Sequence, residues 1–516
     1  MKKNILILTL VLLGIVSCKN EAEKPNIIVI LADDMGYSDL GCMGGEIQTP
    51  NLDNLANDGL LFTHCYNSSR CAPSRASLLT GLYQHRTGIG HMLSDWGIPS
   101  YRGFLNDNCI TIAEILKENG YNTIISGKWH VGDKREHWPD KRGFDNFFGT
   151  PKGGGLYFYP SKFIDRPIFR NGKQIFPDST TFYTTDNYTT EAIQFITESQ
   201  SDDKPFFLYL AYIAPHYPLQ AWPEDIAKYK GKYDQGYEAI RQTRFEKQQK
   251  LGIVDKNIKL SPPEYPEWNT VNQQEEADRM EVYAAMVDRM DQNIGHLVDH
   301  LKSIGEYENT LLLFLSDNGA CAENVNRAPE AELGTVRSFT AYGKNWANVG
   351  NTPYRKYKSK EHEGGILTPL IVHWPAGITK NRLVKDIVHI IDIMPTCLEI
   401  TGAEYPNEYK GKPIKALDGQ SFSAAFQNKK IDAIRPLFWE HEGNQAVRIN
   451  DWKLVKLNKK PWELYELKSD PTELDDLSET KMEVKDSLLI RWNKWANATG
   501  VESWPVRKKK ITHQQD

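Results

Sequence analysis

The sequence contains few cysteines and no excess of positive charge. Seven Cys occur among 516 residues, with no CxxC pair and no cysteine–histidine ladder. A disulfide-stapled scaffold and a structural zinc site are therefore not expected, although one or two disulfides remain open. The 62 Lys and Arg are outnumbered by 67 Asp and Glu, for a net charge of -5. A chain with this balance has no global basic field for nucleic acid, and nucleic acid is not an expected partner.

Long apolar runs are also missing beyond the first twenty residues. Lys2 and Lys3 precede an apolar stretch over residues 5–16, a pattern typical of a secretion signal and too short to span a bilayer comfortably. The stretch ends in residues 15–18 (IVSC), which resemble the lipobox of bacterial lipoproteins; the alternative is an ordinary signal peptide with an incidental cysteine. We predict a lipoprotein signal peptide over residues 1–17. The mature protein is then extracytoplasmic, in the periplasm or at the cell surface, and held to the membrane by a lipid anchor.

Continuous apolar segments alternate with amphipathic ones through most of the chain. Residues 25–32 (PNIIVILA) and 206–213 (FFLYLAYI) are typical of strands buried on both faces of a parallel sheet. Residues 277–305 carry apolar side chains at steps of three and four, as in a long helix that covers a sheet. These patterns predict an α/β fold, with a mostly parallel sheet flanked by helices on both sides, over residues 24–430.

The pattern changes after about residue 430. Short alternating segments over residues 445–467 predict an antiparallel sheet, and a helix with one apolar face follows and ends near Gly500. We interpret residues 431–505 as a smaller C-terminal α+β subdomain. The basic residues in 506–516 are expected to form a solvated tail.

Two of the predicted strands end in oxygen-bearing side chains. Asp33 and Asp34 follow the first strand directly, and Asp317 and Asn318 follow a strand over residues 311–315. Adjacent carboxylates at the carboxyl edge of a parallel sheet, where such folds bind ligands, repel each other unless a cation neutralises them. An all-oxygen set favours Ca²⁺ or Mg²⁺ over zinc. Either pair alone would more often be a turn or a helix cap.

The most specific segment is residues 71–81, CAPSRASLLTG. It matches every fixed position of C-x-P-S-R-x-x-x-L-T-G, and the chain therefore resembles the formylglycine-dependent type I sulfatases. The resemblance implies that a maturase oxidises Cys71 to formylglycine, an aldehyde whose hydrate supplies the nucleophilic oxygen. The alternative from the residues alone is an inert buried thiol at a helix start.

Other segments of the same family pattern follow in order along the chain. Residues 127–132 (GKWHVG) and 214–216 (APH) are similar to family motifs, and Lys358 stands five residues before the EGG at 363–365. The resemblance extends over nearly all of residues 25–500 and implies the alkaline-phosphatase-like fold. It also implies a Ca²⁺ ion, with Mg²⁺ less favoured, held by five residues: Asp33, Asp34, Asp317, Asn318 and the oxidised Cys71. The implied catalytic residues are Cys71, Arg75, Lys128, His130, His216 and Lys358.

The resemblance also assigns roles in sulfate ester hydrolysis. Lys128 and Lys358 share the sulfate charge with the metal, and Arg75 orients the hydrate. His216, aided by Lys358, is the predicted acid for the leaving oxygen, and His130 contacts the hydrate. The second hydroxyl of the hydrate expels sulfate and regenerates the aldehyde, which splits one hydrolysis into two easier steps.

The predicted function is a sulfatase that acts on sulfated carbohydrates, with aryl sulfates as substrates in vitro. Residues 216–241 resemble the branch that includes bacterial arylsulfatases. The aromatic, glycine-rich residues 153–159 (GGGLYFY) are either part of the substrate site or an ordinary surface loop. One alternative is a phosphodiester or phosphonate monoester hydrolase of the same superfamily. The other is a non-catalytic glycan-binding lipoprotein, which would be expected to lack the nucleophile or the metal ligands, and neither is missing.

Overall fold

The computed structural model describes residues 24–202, 204–431 and 435–507. The predicted signal peptide, the lipobox cysteine and residues 508–516 of the basic tail lie outside the described residues. The strands are β1 Asn26–Asp33, β2 Leu60–Tyr66, β3 Asn122–Lys128, β4 Asn146–Thr150, β5 Ile168–Arg170, β6 Lys173–Ile175, β7 Phe206–Pro215, β8 Thr310–Ser316, β9 Leu367–His373, β10 Arg382–Val384, β11 Val388–His389, β12 Glu408–Tyr409, β13 Lys412–Pro413, β14 Leu437–His441, β15 Asn444–Ile449, β16 Trp452–Lys456 and β17 Glu463–Glu466. The helices are α1 Pro50–Asn57, α2 Cys71–Thr80, α3 Gln84–Thr87, α4 Ile112–Glu118, α5 Thr184–Ser199, α6 Pro223–Ala227, α7 Gly236–Leu251, α8 Gln273–Ser303, α9 Gly343–Gly350, α10 Glu363–Ile366, α11 Ile393–Thr401 and α12 Met482–Thr499.

The main sheet has eleven strands in the described part of the chain. Ten lie in the order β10-β2-β9-β8-β1-β7-β3-β4-β5-β6, and β11 also pairs with β2. The central strands β8, β1, β7, β3 and β4 run parallel to one another. Strand β9 runs antiparallel to both β2 and β8, and the edge strands β5 and β6 form an antiparallel hairpin. The predicted mostly parallel sheet is confirmed, with β9 as its internal exception.

Strand β1 shows why its sequence is continuously apolar. Its side chains alternate between two cores: Ile28 and Ile30 pack on one side of the sheet, and Ile27, Val29 and Leu31 pack on the other. Helices α1, α5 and α8 cover the first side, and α2, α4 and α11 cover the second. Burial of each such aliphatic side chain contributes about 1.5–3 kcal/mol, so both faces hold the strand in place.

Register brings the ends of the central strands to one level. In β1, Ile27 pairs with Leu311 of β8, and the pairing continues in step until Ala32 meets Ser316. Asp33 and Asp317 therefore emerge side by side, although 284 positions separate them in the sequence. The predicted meeting of the two acidic strand ends follows from this register.

The predicted C-terminal antiparallel sheet is present, in the order β14-β15-β16-β17. One face, with Val447 and Leu454, packs against Trp492 and Trp495 of α12. The other face presents Trp439 and further apolar side chains to the core of the main sheet. The small sheet is thus joined to the large one by a continuous apolar contact.

The six cysteines in the described part of the chain are all free thiols. The disulfides left open by the sequence are therefore not formed among these residues. The helices within the described ranges include none with the length and apolar character needed to cross a bilayer.

Candidate active site

Four oxygen-bearing side chains meet where β1 and β8 end. Asp33, Asp34, Asp317 and Asn318 are each at most 1% exposed. The backbone N–H of Asp34 donates to Asp317 Oδ1 at 3.3 Å, and Asn318 Nδ2 donates to Asp34 Oδ1 at 2.7 Å. Asp34 has a φ of 68°, a left-handed conformation that Asp tolerates better than most residues. The chain turns there so that the two adjacent carboxylates face one centre.

Three buried cations surround these carboxylates. Lys128, the last residue of β3, donates from Nζ to Asp33 Oδ2 at 2.5 Å. Lys358 donates to Asp34 Oδ2 at 2.7 Å. The Nη2 atom of Arg75 donates to Asp317 Oδ2 at 2.8 Å, and Arg75 Nη1 donates to the carbonyl oxygen of Lys128 at 3.1 Å. The three predicted cationic residues therefore lie together with the three predicted acids.

The charges determine which carboxyls ionise readily. Burial alone would raise the pKa of Asp33, but the cations, Lys128 foremost, hold the pKa well below its usual range. The pKa of Asp34 is lowered in the same way, against burial, mainly by Lys358. Burial and the negative charge of Asp33 raise the pKa of Asp317 to about 7, although Arg75 opposes the shift. Of the three carboxyls, Asp317 is therefore the one whose negative charge is least well balanced by the protein alone.

Two buried oxygen atoms at this centre have no hydrogen-bond partner. They are Asp33 Oδ1 and Asn318 Oδ1. A buried acceptor without a donor is costly, and a hard divalent cation would satisfy both atoms. Asp33 and Asp34 also form, with His216, a buried group whose potential ligand atoms lie within 4.8 Å of one another. The residues therefore fit a divalent cation bound by oxygen atoms.

Cys71 is the first residue of α2 and is 3% exposed. The helix starts there because Arg70 is extended, and Pro73 fits in the first turn, where backbone N–H groups lack helical partners. Burial raises the pKa of the Cys71 thiol, while the charges of Lys128 and Lys358 lower it. The sulfur thus lies within the field of the two lysines that also pair with Asp33 and Asp34.

The two predicted histidines lie beside the same centre. His216 Nε2 is 3.4 Å from Asp34 Oδ2, and its Nδ1 donates to the carbonyl oxygen of Tyr217 at 2.6 Å. His130 follows β3 with a φ of 56°, and its Nδ1 has no partner. Burial lowers the pKa of both imidazoles, and for His216 the charge of Asp34 opposes that effect. Both rings are therefore neutral near pH 7.

The glycine-rich segment 153–159 packs against both histidines. A Cβ on Gly153 would lie 2.1 Å from His130 Nε2, so only glycine fits there. Tyr157 is buried, and its hydroxyl donates to the carbonyl oxygen of His216 at 2.7 Å. The segment thus packs against both histidines, and its contact with substrate stays a prediction.

Sequence reasoning missed a charged group at the rim of the site. Glu323 Oε1 lies 3.2 Å from Arg70 Nη1 and 3.7 Å from Lys358 Nζ. Its Oε2 accepts a hydrogen bond from Tyr217 at 2.6 Å. Cys321 Sγ lies 3.9 Å from Lys358 Nζ. These residues match no motif, and the one available signal was that Cys321 and Glu323 follow Asp317 and Asn318 on the same loop.

Comparison with protein families matches most of this chain. The sulfatase family model matches residues 25–403, and the model for the C-terminal region of N-sulphoglucosamine sulphohydrolase matches residues 357–494. The chain is 36% identical to an arylsulfatase of Klebsiella aerogenes over 432 residues, covering 78% of this chain and 92% of the relative. It is 34% identical over 480 residues to an uncharacterized sulfatase of Schizosaccharomyces pombe, covering 85% and 87%.

Solved structures agree with the fold. Ps i-CgsB in complex with k-i-k-neocarrahexaose has a TM-score of 0.70 at 30% identity and covers 92% of this chain and 93% of its own. The phosphonate monoester hydrolase of Agrobacterium radiobacter has a TM-score of 0.61 at 18% identity, over 92% and 96% of the two chains, and shares the fold alone. The architecture is that of the alkaline-phosphatase-like superfamily. The chain belongs to the sulfatase family and is a sulfuric ester hydrolase.

Proposed function

We propose that this enzyme removes sulfate from sulfated carbohydrates, using formylglycine made from Cys71 and a bound Ca²⁺ ion. The observation that carries the proposal is the pair of unpartnered buried oxygens, Asp33 Oδ1 and Asn318 Oδ1, in the same charged pocket as Cys71. The solved complex of Ps i-CgsB with a neocarrahexaose supports a sulfated glycan as the substrate class. Aryl sulfates would serve as surrogate substrates, since the Klebsiella relative is an arylsulfatase.

Formylglycine and the metal ion supply two kinds of chemistry when present. The hydrated aldehyde provides an oxygen that attacks sulfur and a second hydroxyl that allows sulfate to leave, and Ca²⁺ neutralises charge on the sulfate oxygens. Asp33, Asp34, Asp317 and Asn318 would hold the ion, with the oxidised residue 71 beside it. Mg²⁺ is the less favoured ion, because Ca²⁺ accepts more oxygen ligands in flexible geometry.

The protein side chains divide the remaining work. Lys128 and Lys358, which pair with Asp33 and Asp34, would balance the negative charge of the ester. Arg75 links Asp317 to the backbone of Lys128 and so holds two elements of the pocket together.

His216 is the proposed proton donor. Its Nδ1–H is engaged by the Tyr217 carbonyl, so Nε2 is the nitrogen left to face the pocket beside Asp34. An anionic ester next to Nε2 favours the protonated ring, which then gives its proton to the leaving alcohol oxygen. His130, which packs against Gly153, would contact the hydrate.

The cellular setting is proposed from the N-terminal sequence. A maturase would convert Cys71, and a lipid on Cys18 would anchor the enzyme at the membrane surface outside the cytoplasm. Fractionation of the native host, with metabolic lipid labelling of wild type and Cys18→Ala, tests both location and anchor. Recovery of unlabelled wild-type protein in the cytoplasm would refute this assignment.

The central experiment combines mass and turnover. The peptide containing residue 71 should show the mass of the aldehyde or its hydrate in protein from the native host, and Cys71→Ala should lose at least roughly 1,000-fold in aryl sulfate turnover, an order of magnitude taken from nucleophile removal in other enzymes. Cys397→Ala is the matched control, because Cys397 is also a buried free thiol and lies outside the motif at residues 71–81.

Substrate comparison separates the proposal from its rivals. Sulfated oligosaccharides should be desulfated with a higher kcat/KM than aryl sulfates. Faster turnover of a phosphonate monoester or phosphodiester than of any sulfate ester would favour the superfamily alternative. A persistent thiol at residue 71 with glycan binding and no turnover would favour the binding lipoprotein.

A further inference from the structure

A second group of potential metal ligands lies outside the catalytic centre. We propose that His91, His441 and Glu442 bind one zinc ion at the junction of the C-terminal sheet and the loop that follows α3. Their ligand atoms all lie within 4.8 Å of one another. The cluster differs from the carboxylate centre in its ligand types, since it offers two imidazoles and one carboxylate.

Backbone geometry brings two of the three ligands together. Strands β14 and β15 are joined by Glu442 and Gly443, with φ values of 52° and 78°. Positive φ at both central residues is typical of a tight type I′ hairpin turn, which suits the twist of paired strands. The turn places His441 and Glu442 beside His91, which lies 350 positions before His441 in the sequence.

The distances suit a small ion with nitrogen and oxygen ligands. His91 Nε2 lies 3.0 Å from Glu442 Oε1, and His441 Nε2 lies 3.8 Å from the same oxygen. Tetrahedral zinc with bonds of about 2.0 Å separates its ligand atoms by about 3.3 Å, between these two distances. Two imidazoles and a carboxylate favour Zn²⁺ over Ca²⁺ or Mg²⁺.

An independent observation is that three of the four ring nitrogens of His91 and His441 lack a hydrogen-bond partner. His441 is fully buried, yet neither of its nitrogens has a hydrogen bond, and His91 Nδ1 is also unpartnered. A buried imidazole without a partner is costly, and a metal ion would satisfy Nε2 of His441.

Stacking argues against a sugar as the occupant. The rings of His91 and His441 are parallel within 7° at 5.3 Å, and Trp96 stacks on His91 at 4.9 Å. Tyr101 stacks on Trp96 in turn, at 5.6 Å. Sugars bind to open aromatic faces, and here the faces are covered by other rings. The nitrogens at the ring edges are therefore the groups left to bind a ligand.

Zinc binding to the Ca²⁺-saturated enzyme tests the proposal. The full mature protein, dialysed against excess Ca²⁺, is titrated with Zn²⁺ by calorimetry, and the bound metal is counted by elemental analysis. Wild type should bind one Zn²⁺ at least tenfold more tightly than Glu442→Gln or His91→Asn. Co²⁺ in place of Zn²⁺ should give the visible absorption of a low-coordinate site in wild type, and both variants should lose it.

The variants have matched controls. Glu479→Gln and His300→Asn change the same residue types at solvent-accessible positions elsewhere and should bind zinc as wild type does. The Glu442 side chain is 37% exposed, so its amide variant should fold, and unchanged aryl sulfate turnover would show that it does. Equal zinc affinity in wild type and Glu442→Gln, or no zinc bound by wild type, would overturn the proposal.

Discussion

Asp317 occupies an unusual position among the acids of the catalytic centre. Burial and the charge of Asp33 raise the pKa of Asp317 to about 7, whereas the pKa of Asp33 is well below its usual range and that of Asp34 is lowered. Its side chain also receives two hydrogen bonds from the buried Arg75. Asp317 is therefore the residue through which the proposed metal ion would be coupled to the arginine.

Removal of this charge tests that coupling. Asp317→Asn should weaken Ca²⁺ binding and reduce turnover at least about 100-fold, because the ion loses a ligand and Arg75 loses its carboxylate. Chelator competition measures the affinity, and aryl sulfate hydrolysis at saturating Ca²⁺ measures the rate. Asp299→Asn, at an exposed site on α8, should leave both unchanged. Wild-type metal affinity in Asp317→Asn would refute the ligand assignment.

Glu361 carries a pH dependence of stability at a site outside the carboxylate centre. Burial raises its pKa to about 8, and Ser69 is the hydrogen-bond donor to its Oε1 at 3.0 Å, while Oε2 has no partner. Because this pKa is above the ordinary value of 4.5, the carboxyl contributes stability that is complete below about pH 4.5 and declines as the pH rises toward 8.

Glu361→Gln, which resembles the protonated acid, should therefore stabilise the protein at pH 8.5 by on the order of a few kcal/mol and change little at pH 4.5. Thermal unfolding of both proteins at the two pH values measures the difference. Glu483→Gln, at an exposed position of α12, controls for the loss of one charge. A difference that is the same at both pH values would contradict the elevated pKa.

At the scale of elements, α4 owes its start to one threonine. The Thr111 hydroxyl accepts from the backbone N–H of Glu114 at 3.0 Å, and the Glu114 carboxylate accepts from the N–H of Thr111 at 2.9 Å. This reciprocal capping box satisfies two otherwise unpaired donors. The same hydroxyl donates to the carbonyl oxygen of Arg142 and so ties the helix to the chain before β4.

Thr111→Ala should lower the free energy of unfolding by about 1–2 kcal/mol, because it removes the cap and the contact to Arg142 together. Urea denaturation measures the change. Thr190→Ala, at an exposed position of α5, should cost less than half as much. An equal loss in both variants would show that the cap contributes nothing specific.

Strands buried on both faces could be predicted from the sequence, and so could the acidic residues at the ends of β1 and β8. Strands β1, β7 and β8 are continuous apolar runs, and the helix at Gln273–Ser303 has a clear apolar stripe. Strand β2 was missed because Thr63 and His64 interrupt its apolar run, and β14 was missed because Glu440 and His441 do the same. The antiparallel direction of β9 could not be read either, since alternation and hydrophobicity carry no sign of strand direction.

Some residues of the candidate sites could be predicted from the sequence and others could not. Asp33, Asp317 and Lys128 could be found because each lies in a motif or at a strand end. Glu323 and His441 could not, because neither lies in a motif or at the end of a strand that the sequence predicts. Distance in sequence was not the limit, since Asp33 and Asp317 lie 284 positions apart and were predicted to meet.

At the scale of the whole molecule, a buried ion network joins the two sheets. Lys453 of β16 donates to Glu363 Oε1 at 2.6 Å and lies 2.8 Å from Glu473 Oε1. Glu363 also accepts from Tyr66 of β2 at 2.7 Å. Lys453, Glu363 and Glu473 are all buried, so water cannot solvate the two carboxylates if the lysine is removed. The C-terminal sheet and the main sheet are therefore expected to unfold as one unit.

Lys453→Met should destabilise the protein by about 3–5 kcal/mol, because it leaves two buried acids without their cation. Denaturation followed separately by circular dichroism and by tryptophan fluorescence should give coincident transitions in wild type. Lys494→Met, which alters an exposed lysine of α12, should have little effect. Two separate transitions in wild type would contradict a single cooperative unit.

The burial of Cys71 also constrains whether its proposed oxidation comes before or after folding. A thiol that is 3% exposed cannot enter the active site of another protein. The oxidation we propose must then precede closure of the sheet, while residues 71–81 are still an extended segment. Enzyme that has folded without a maturase should stay inactive when the maturase is added later. It should gain sulfatase activity only if it is unfolded and refolded in the presence of the maturase.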